Sequence, residues 1–199
     1  MRGMEFLTAA ENKESFFHRV AFYYPSLDQR YKLIEKAYND AKDAFREIYR
    51  DDGKTRYFEH VRAVTLILLD YLRVRDHEVI IAALLHDIVE DKPEWTIERV
   101  RNEYGDRVAY LVEYLTKPVD IEDKKKREQV YHSRFEFAPR EFFLIKLADR
   151  FHNMYTLWNC DADKRRRKIE ETRRHYLPHA EKHLILLHEL EEVLEQYPD

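Results

Sequence analysis

With 199 residues, one cysteine and a formal net charge of −4, the chain has the size of a single domain, has no partner for an internal disulfide and lacks the basic field that draws nucleic acid. Glycine is scarce at 3 and proline modest at 6, so a composition of 44% hydrophobic and 37% charged residues favours an all-α fold. The opening MRGMEFLTAAENKESFF has no continuous apolar core, and no run of about 18 uncharged apolar residues occurs. The expectation is a cytoplasmic protein without signal peptide, membrane span or nucleic-acid partner.

Residues 1–12 read as a flexible N-terminus and 13–199 as one domain. Residues 13–49 read as one or two helices, with a break at Tyr24-Pro25-Ser26 and Ser26 as the cap of the second. Arg50-Asp51-Asp52-Gly53-Lys54-Thr55 is a polar loop. Phe58, Val61, Val64, Ile67, Leu68 and Tyr71 recur at helical spacing over 56–73. HEVIIAALLHDIVE (77–90) predicts a buried helix ended by Asp91-Lys92-Pro93. Thr96 opens the next helix, Gly105 stops it, and 106–115 form another. PVDIEDKKKR (118–127) reads as a solvated connector and Lys164-Arg165-Arg166-Arg167-Lys168 as solvated surface. Residues 141–158 predict a helix, and 180–196 a final amphipathic one with Leu184, Leu187, Leu190 and Leu194. These leucines serve either a homo-oligomer or the body of the domain. No period-2 strand stands out.

Three places carry chemistry. On a helix, His86 and Glu90 are four apart, as are Asp87 and Asp91, so all four share a broad face at the end of the apolar Ile80–Leu85 run. Four ionisable groups there are expensive unless paired or bound to a cation, although a helix end reaching solvent would carry them cheaply. His60 lies among apolar residues and gains meaning only as a partner of His86 and Asp87. Lys146, Asp149, Asn153 and Thr156 share a third face, which is either an exposed stripe or a ligand site. Two imidazoles and two carboxylates from three helices make a mixed nitrogen–oxygen set suited to one Mn, Fe or Zn ion. Such an ion activates water and screens phosphoryl charge, with Glu90 and Asp91 nearby to move protons. Spacing alone names no substrate.

The order His60, His86-Asp87, Asp149 resembles the HD-domain phosphohydrolases. His-Asp-Ile-Val-Glu-Asp (86–91), Thr96, Gly105, Thr116-Lys117, IKLADRFHNMYTL (145–157), Glu171-Thr172 and Tyr176-Leu-Pro-His-Ala180 are similar to the hydrolase domain of Rel/Spo-type alarmone enzymes, over about residues 28–185. The resemblance implies an HD-domain helical bundle that removes the 3′-pyrophosphate from (p)ppGpp in the stringent response, with Mn2+ as the usual ion. By the same resemblance, His60, His86, Asp87 and Asp149 are metal ligands, Glu90 and Asp91 the catalytic acidic pair, and Asn153 and Thr156 nucleotide contacts. Arg50 falls near the family's loop arginine, and the layout is that of stand-alone small alarmone hydrolases.

The chain departs from the family at Val61, where proline is usual, and at Asp51, where lysine often follows the loop arginine. Two loop acids, Asp51 and Asp52, weaken phosphate binding unless Lys54 or Arg56 takes over. These departures keep other substrates open, such as (p)ppApp or NADPH, and a non-catalytic nucleotide-binding or antitoxin module.

Overall fold

Side-chain caps set where the helices begin. In the computed structural model, which describes residues 4–7 and 11–197, Asn12, Asp28, Asp76, Thr96, Asp123 and Asp161 each accept a hydrogen bond from a backbone N–H of the helix that follows. Each bond satisfies a donor that a helix start leaves unpaired and contributes about 1 kcal/mol. The helices are α1 (Lys13–Tyr23), α2 (Gln29–Ala44), α3 (Tyr57–Leu66), α4 (His77–Leu84), α5 (Ile88–Asp91), α6 (Ile97–Tyr104), α7 (Asp106–Leu115), α8 (Lys124–Ser133), α9 (Arg140–Tyr155), α10 (Ala162–Glu171), α11 (Leu177–His183) and α12 (Leu187–Glu195). Among the described residues β-type pairing is limited to one antiparallel bridge, Tyr49 to Arg56, and no helix is long and apolar enough to cross a membrane.

α4 and α9 form the centre. Every α4 residue from Val79 to Leu84 is buried, and so is most of α9 from Phe142 to Met154. α4 packs on α2, α3, α7 and α9, which suits a helix that is apolar all round. Gly105, at φ +93°, turns α6 directly into α7 in a conformation that a Cβ would strain.

Several expectations give way. Asp28, not Ser26, caps α2, because its carboxylate reaches the Arg30 N–H at 2.8 Å. The 77–90 helix is interrupted: Leu85-His86-Asp87 form a turn between α4 and α5. The connector is shorter than 118–127, because Asp123 caps α8 and its lysines form that helix's first turn. The basic 164–168 run lies on α10, a helix with no buried residue. The 180–196 helix is broken, with Leu184 and Leu186 at positive φ; Leu184 is exposed, whereas Leu190 and Leu194 are buried in the core and α12 packs on α9. In the expected flexible N-terminus, Met4 and Phe6 are buried, and Glu11 pairs with Arg19 at 2.6 Å. Its residues 1–3 and 8–10 lie outside the described residues.

Candidate metal centre

The turn between α4 and α5 aims His86. Its Nδ1 lies 2.8 Å from the Ala83 carbonyl, which can only accept, so Nδ1 carries a proton, and the ring presents Nε2 as a lone pair once Nε2 has given up its own. His60, in α3, has its Nδ1 2.9 Å from Nδ1 of His152 in α9; with His60 as donor, its Nε2 is likewise a free lone pair. Both Nε2 atoms are buried and lack a hydrogen-bond partner. They face carboxylates: His60 Nε2 is 3.2 Å from Asp149 Oδ1, and His86 Nε2 is 2.9 Å from Asp87 Oδ2 and 4.0 Å from Asp149 Oδ1. One atom from each of His60, His86 and Asp87 lies within 4.8 Å of the others. Lone pairs turned on carboxylates repel unless a proton or a metal ion lies between them, and a metal ion converts the repulsion into coordination.

The protonation pattern agrees. Burial pushes the His60 imidazole down to about 4, so it stays neutral. Burial alone would lower His86 too, but Asp87 and Asp149 override it and push His86 up to about 9. Without an ion, a proton on His86 supplies the missing positive charge, and metal binding would release it. Burial opposes charge on Asp87 and Asp149, yet both are held below the ordinary carboxylate range, chiefly by His86 and by Lys146 respectively.

Asp149 is fixed on both oxygens. Lys146 Nζ is 2.8 Å from Oδ2, and Asn153 Nδ2 donates to Oδ1 at 2.5 Å. Arg50 reaches across 103 residues and donates from Nη2 to Asn153 Oδ1 and Thr156 Oγ1, both at 3.0 Å. The i, i+3, i+4 stripe on α9 is therefore a continuous polar track from the metal cluster to the loop.

The acidic pair is split. The turn sends Glu90 to Lys117, whose Nζ and backbone N lie 2.9 and 3.1 Å from its two oxygens. Asp91 stays exposed, with its carboxyl pushed up to about 6 by partial desolvation and by the Asp87 and Glu90 carboxylates. Helical stacking of His86 on Glu90 does not occur, because Leu85-His86-Asp87 are not helical.

Lys54 is exposed at the loop tip and lines neither cavity beside the cluster. Lys146 is buried behind Asp149. Sequence reasoning missed His152 as the support of His60, and Tyr57, whose hydroxyl donates to Asp87. Both lie three residues from a named ligand, which was a usable signal. Lys164, paired with Asp51 at 2.6 Å, has no local signal at all.

A family profile for the HD domain matches residues 37–185. The chain belongs to the HD-domain family. HD domains bind a divalent metal ion, and the His60–His86–Asp87 cluster is where this HD domain can take one. It is 36% identical over 169 residues to a guanosine-3′,5′-bis(diphosphate) 3′-pyrophosphohydrolase of Aquifex aeolicus (strain VF5), covering 84% of this chain and 23% of that protein. It is 36% identical over 188 residues to the bifunctional (p)ppGpp synthase/hydrolase SpoT of Escherichia coli (strain K12), covering 92% and 26%. The chain thus spans about a quarter of the length of these curated relatives. The solved structure of a metazoan ortholog of SpoT, described as hydrolyzing ppGpp and playing a role in starvation responses, superposes with a TM-score of 0.74 at 26% identity over 87% of this chain and 97% of that one.

Proposed function

We propose that this HD domain is a Mn2+-dependent hydrolase that removes the 3′-pyrophosphate from (p)ppGpp-type alarmones. The observation that carries the proposal is the pair of buried, unpartnered Nε2 atoms of His60 and His86 facing Asp87 and Asp149. These four residues would hold the ion, and Lys146 and Asn153 would orient Asp149. When bound, the ion supplies Lewis-acid activation of water and offsets phosphoryl charge. Asp91, with its carboxyl near 6, is matched to accept the proton that water loses as its oxygen bonds to phosphorus. The 3′-oxygen gains a proton as its bond to phosphorus breaks, so ppGpp would yield GDP and pyrophosphate. Glu90 is engaged by Lys117, and Arg50, with Asn153 and Thr156, would form the nucleotide track.

The loop acids do not oppose this reading. Asp51 is neutralised by Lys164, and Asp52 is used internally, accepting from the Lys54 and Thr55 N–H groups at 2.8 Å.

The test is pyrophosphate release from ppGpp by protein stripped of metal and reloaded with Mn2+, with (p)ppApp and NADPH run alongside to rank nucleotides. Release by the wild type, and loss of both bound ion and release in Asp87→Ala, is expected. No release from ppGpp by the Mn2+-loaded protein would sink the proposal.

A further inference from the structure

Arg50, Asp51 and Cys160 each line two cavities beside the metal cluster. One, of about 190 Å³, is lined by His60, His152 and Thr156. The other, of about 250 Å³, is lined by Tyr57, Asn153, Asp51, Lys164 and Lys168. The second cavity touches the cluster through Tyr57, which donates to Asp87, and Asn153, which donates to Asp149. The same cavity carries two cations from α10. Lys168 is engaged by Glu171 at 3.2 Å, inside the Arg150–Glu171 network. Lys164 is held by Asp51, with Nζ 2.6 and 2.7 Å from the two carboxylate oxygens and the two side chains 33% and 45% exposed.

An ion pair this exposed contributes at most about 1 kcal/mol. A phosphate brings up to two charges and three acceptor oxygens to the same ammonium, so it displaces one carboxylate readily. The carboxylate is not stranded when it lets go, because the Cys160 thiol donates to Asp51 at 3.2 Å and solvent reaches it.

We infer that Lys164 anchors the substrate's second phosphate group, the one that is not cleaved, and that Asp51 is its displaceable counter-ion. The inference rests on the hydrolase reading above, since a nucleotide phosphorylated at two ends would use both the metal cluster and Lys164. It also gives a physical role to an acid in a phosphate-facing loop: Asp51 neutralises Lys164 until the ligand takes its place.

Calorimetric titration of the intact protein with GDP, whose diphosphate represents the uncleaved end, and with guanosine tests the assignment. Lys164→Ala is expected to weaken GDP binding by about tenfold or more without changing that of guanosine. Asp51→Asn removes the competitor and is expected to tighten GDP binding severalfold. Lys164→Arg keeps the charge and is expected to keep the GDP affinity, which separates charge from packing. If the pair only ties the loop to α10, Asp51→Asn and Lys164→Ala break the same contact and move GDP affinity in the same direction. That result overturns the inference, as does indifference of GDP affinity to both changes or no GDP binding by the wild type. Opposite shifts in a protein that releases no pyrophosphate from ppGpp would leave the subsite standing and remove the reaction. Turnover of ppGpp with GDP affinity indifferent to both changes would do the reverse.

Discussion

Replacing Lys146 by methionine probes the metal centre through stability. Lys146 and Asp149 are 6% and 4% exposed and 2.8 Å apart. Methionine fills most of the volume, so the packing cost is small. What remains is a buried carboxylate that has lost its cation, near the half-buried Asp87. Removing one partner of such a pair costs about 3–5 kcal/mol. For a domain of this size, that corresponds to a fall in Tm of about 6–20 °C. The assay is thermal unfolding of Lys146→Met and wild type, in excess chelator and again in saturating Mn2+. In chelator the full loss is expected. In Mn2+ the loss shrinks, because a divalent ion coordinated by Asp149 neutralises the charge that Lys146 no longer covers. A fall under about 3 °C in chelator, or equal falls under both conditions, would refute the reasoning that Lys146 and the ion share the task of neutralising Asp149.

Other outcomes follow from the same network. Arg50→Ala removes two charge-assisted bonds to Asn153 and Thr156, and a rise in KM for ppGpp of at least about tenfold is expected; an unchanged KM excludes Arg50 from the nucleotide track. Glu171→Gln leaves the buried Arg150 without its carboxylate and should cost about 3–5 kcal/mol at neutral pH, read by urea unfolding. Burial raises the Glu171 carboxyl, but His132, Arg150 and Lys168 more than reverse this, so its folded value lies below the ordinary 4.5. Its contribution is therefore complete above 4.5 and lost as pH falls, and the wild type should lose stability more steeply than the variant between about pH 5 and about pH 2. Parallel profiles would contradict that account. Leu184 ends α11 at φ +54° with its side chain 83% exposed; Leu184→Gly relieves the left-handed strain and should stabilise the domain by about 0.5–1 kcal/mol, and destabilisation in a melt would show that the leucine packs somewhere.

The all-helical fold and its core helices were legible because scarce breakers and apolar spacing act locally. What was not legible lacked local punctuation. The apolar run through Leu85 contains neither glycine nor proline, so nothing in it announces the turn that separates α4 from α5. Leu184 and Leu186 take positive φ without glycine, a choice set by packing α12 on α9. The α10 run was rightly read as solvated but not as helical, because it buries nothing that would give it a period. At the site, His60, His86, Asp87 and Asp149, named from three separate stretches of sequence, come together, and Arg50 bonds to Asn153 and Thr156. The helical-face argument that joined His86 to Glu90 had the wrong geometry: the two are separated by the turn and serve different partners. The Asp51–Lys164 pair spans 113 residues, beyond the reach of any spacing rule.

The loop from Arg50 to Thr55 satisfies much of its own hydrogen bonding. Arg50 N donates to Thr55 O, Gly53 N to Arg50 O, and Asp52 gathers the Lys54 and Thr55 donors, while the Tyr49–Arg56 bridge closes the base. Its outer end is thereby insulated from the domain. Residues at the tip, Lys54 above all, can be exchanged without disturbing the helices that carry the ion, whereas the base, through Arg50, cannot. Such a loop is a natural graft point: its tip can carry a foreign segment while the metal cluster and the melting temperature stay as they are.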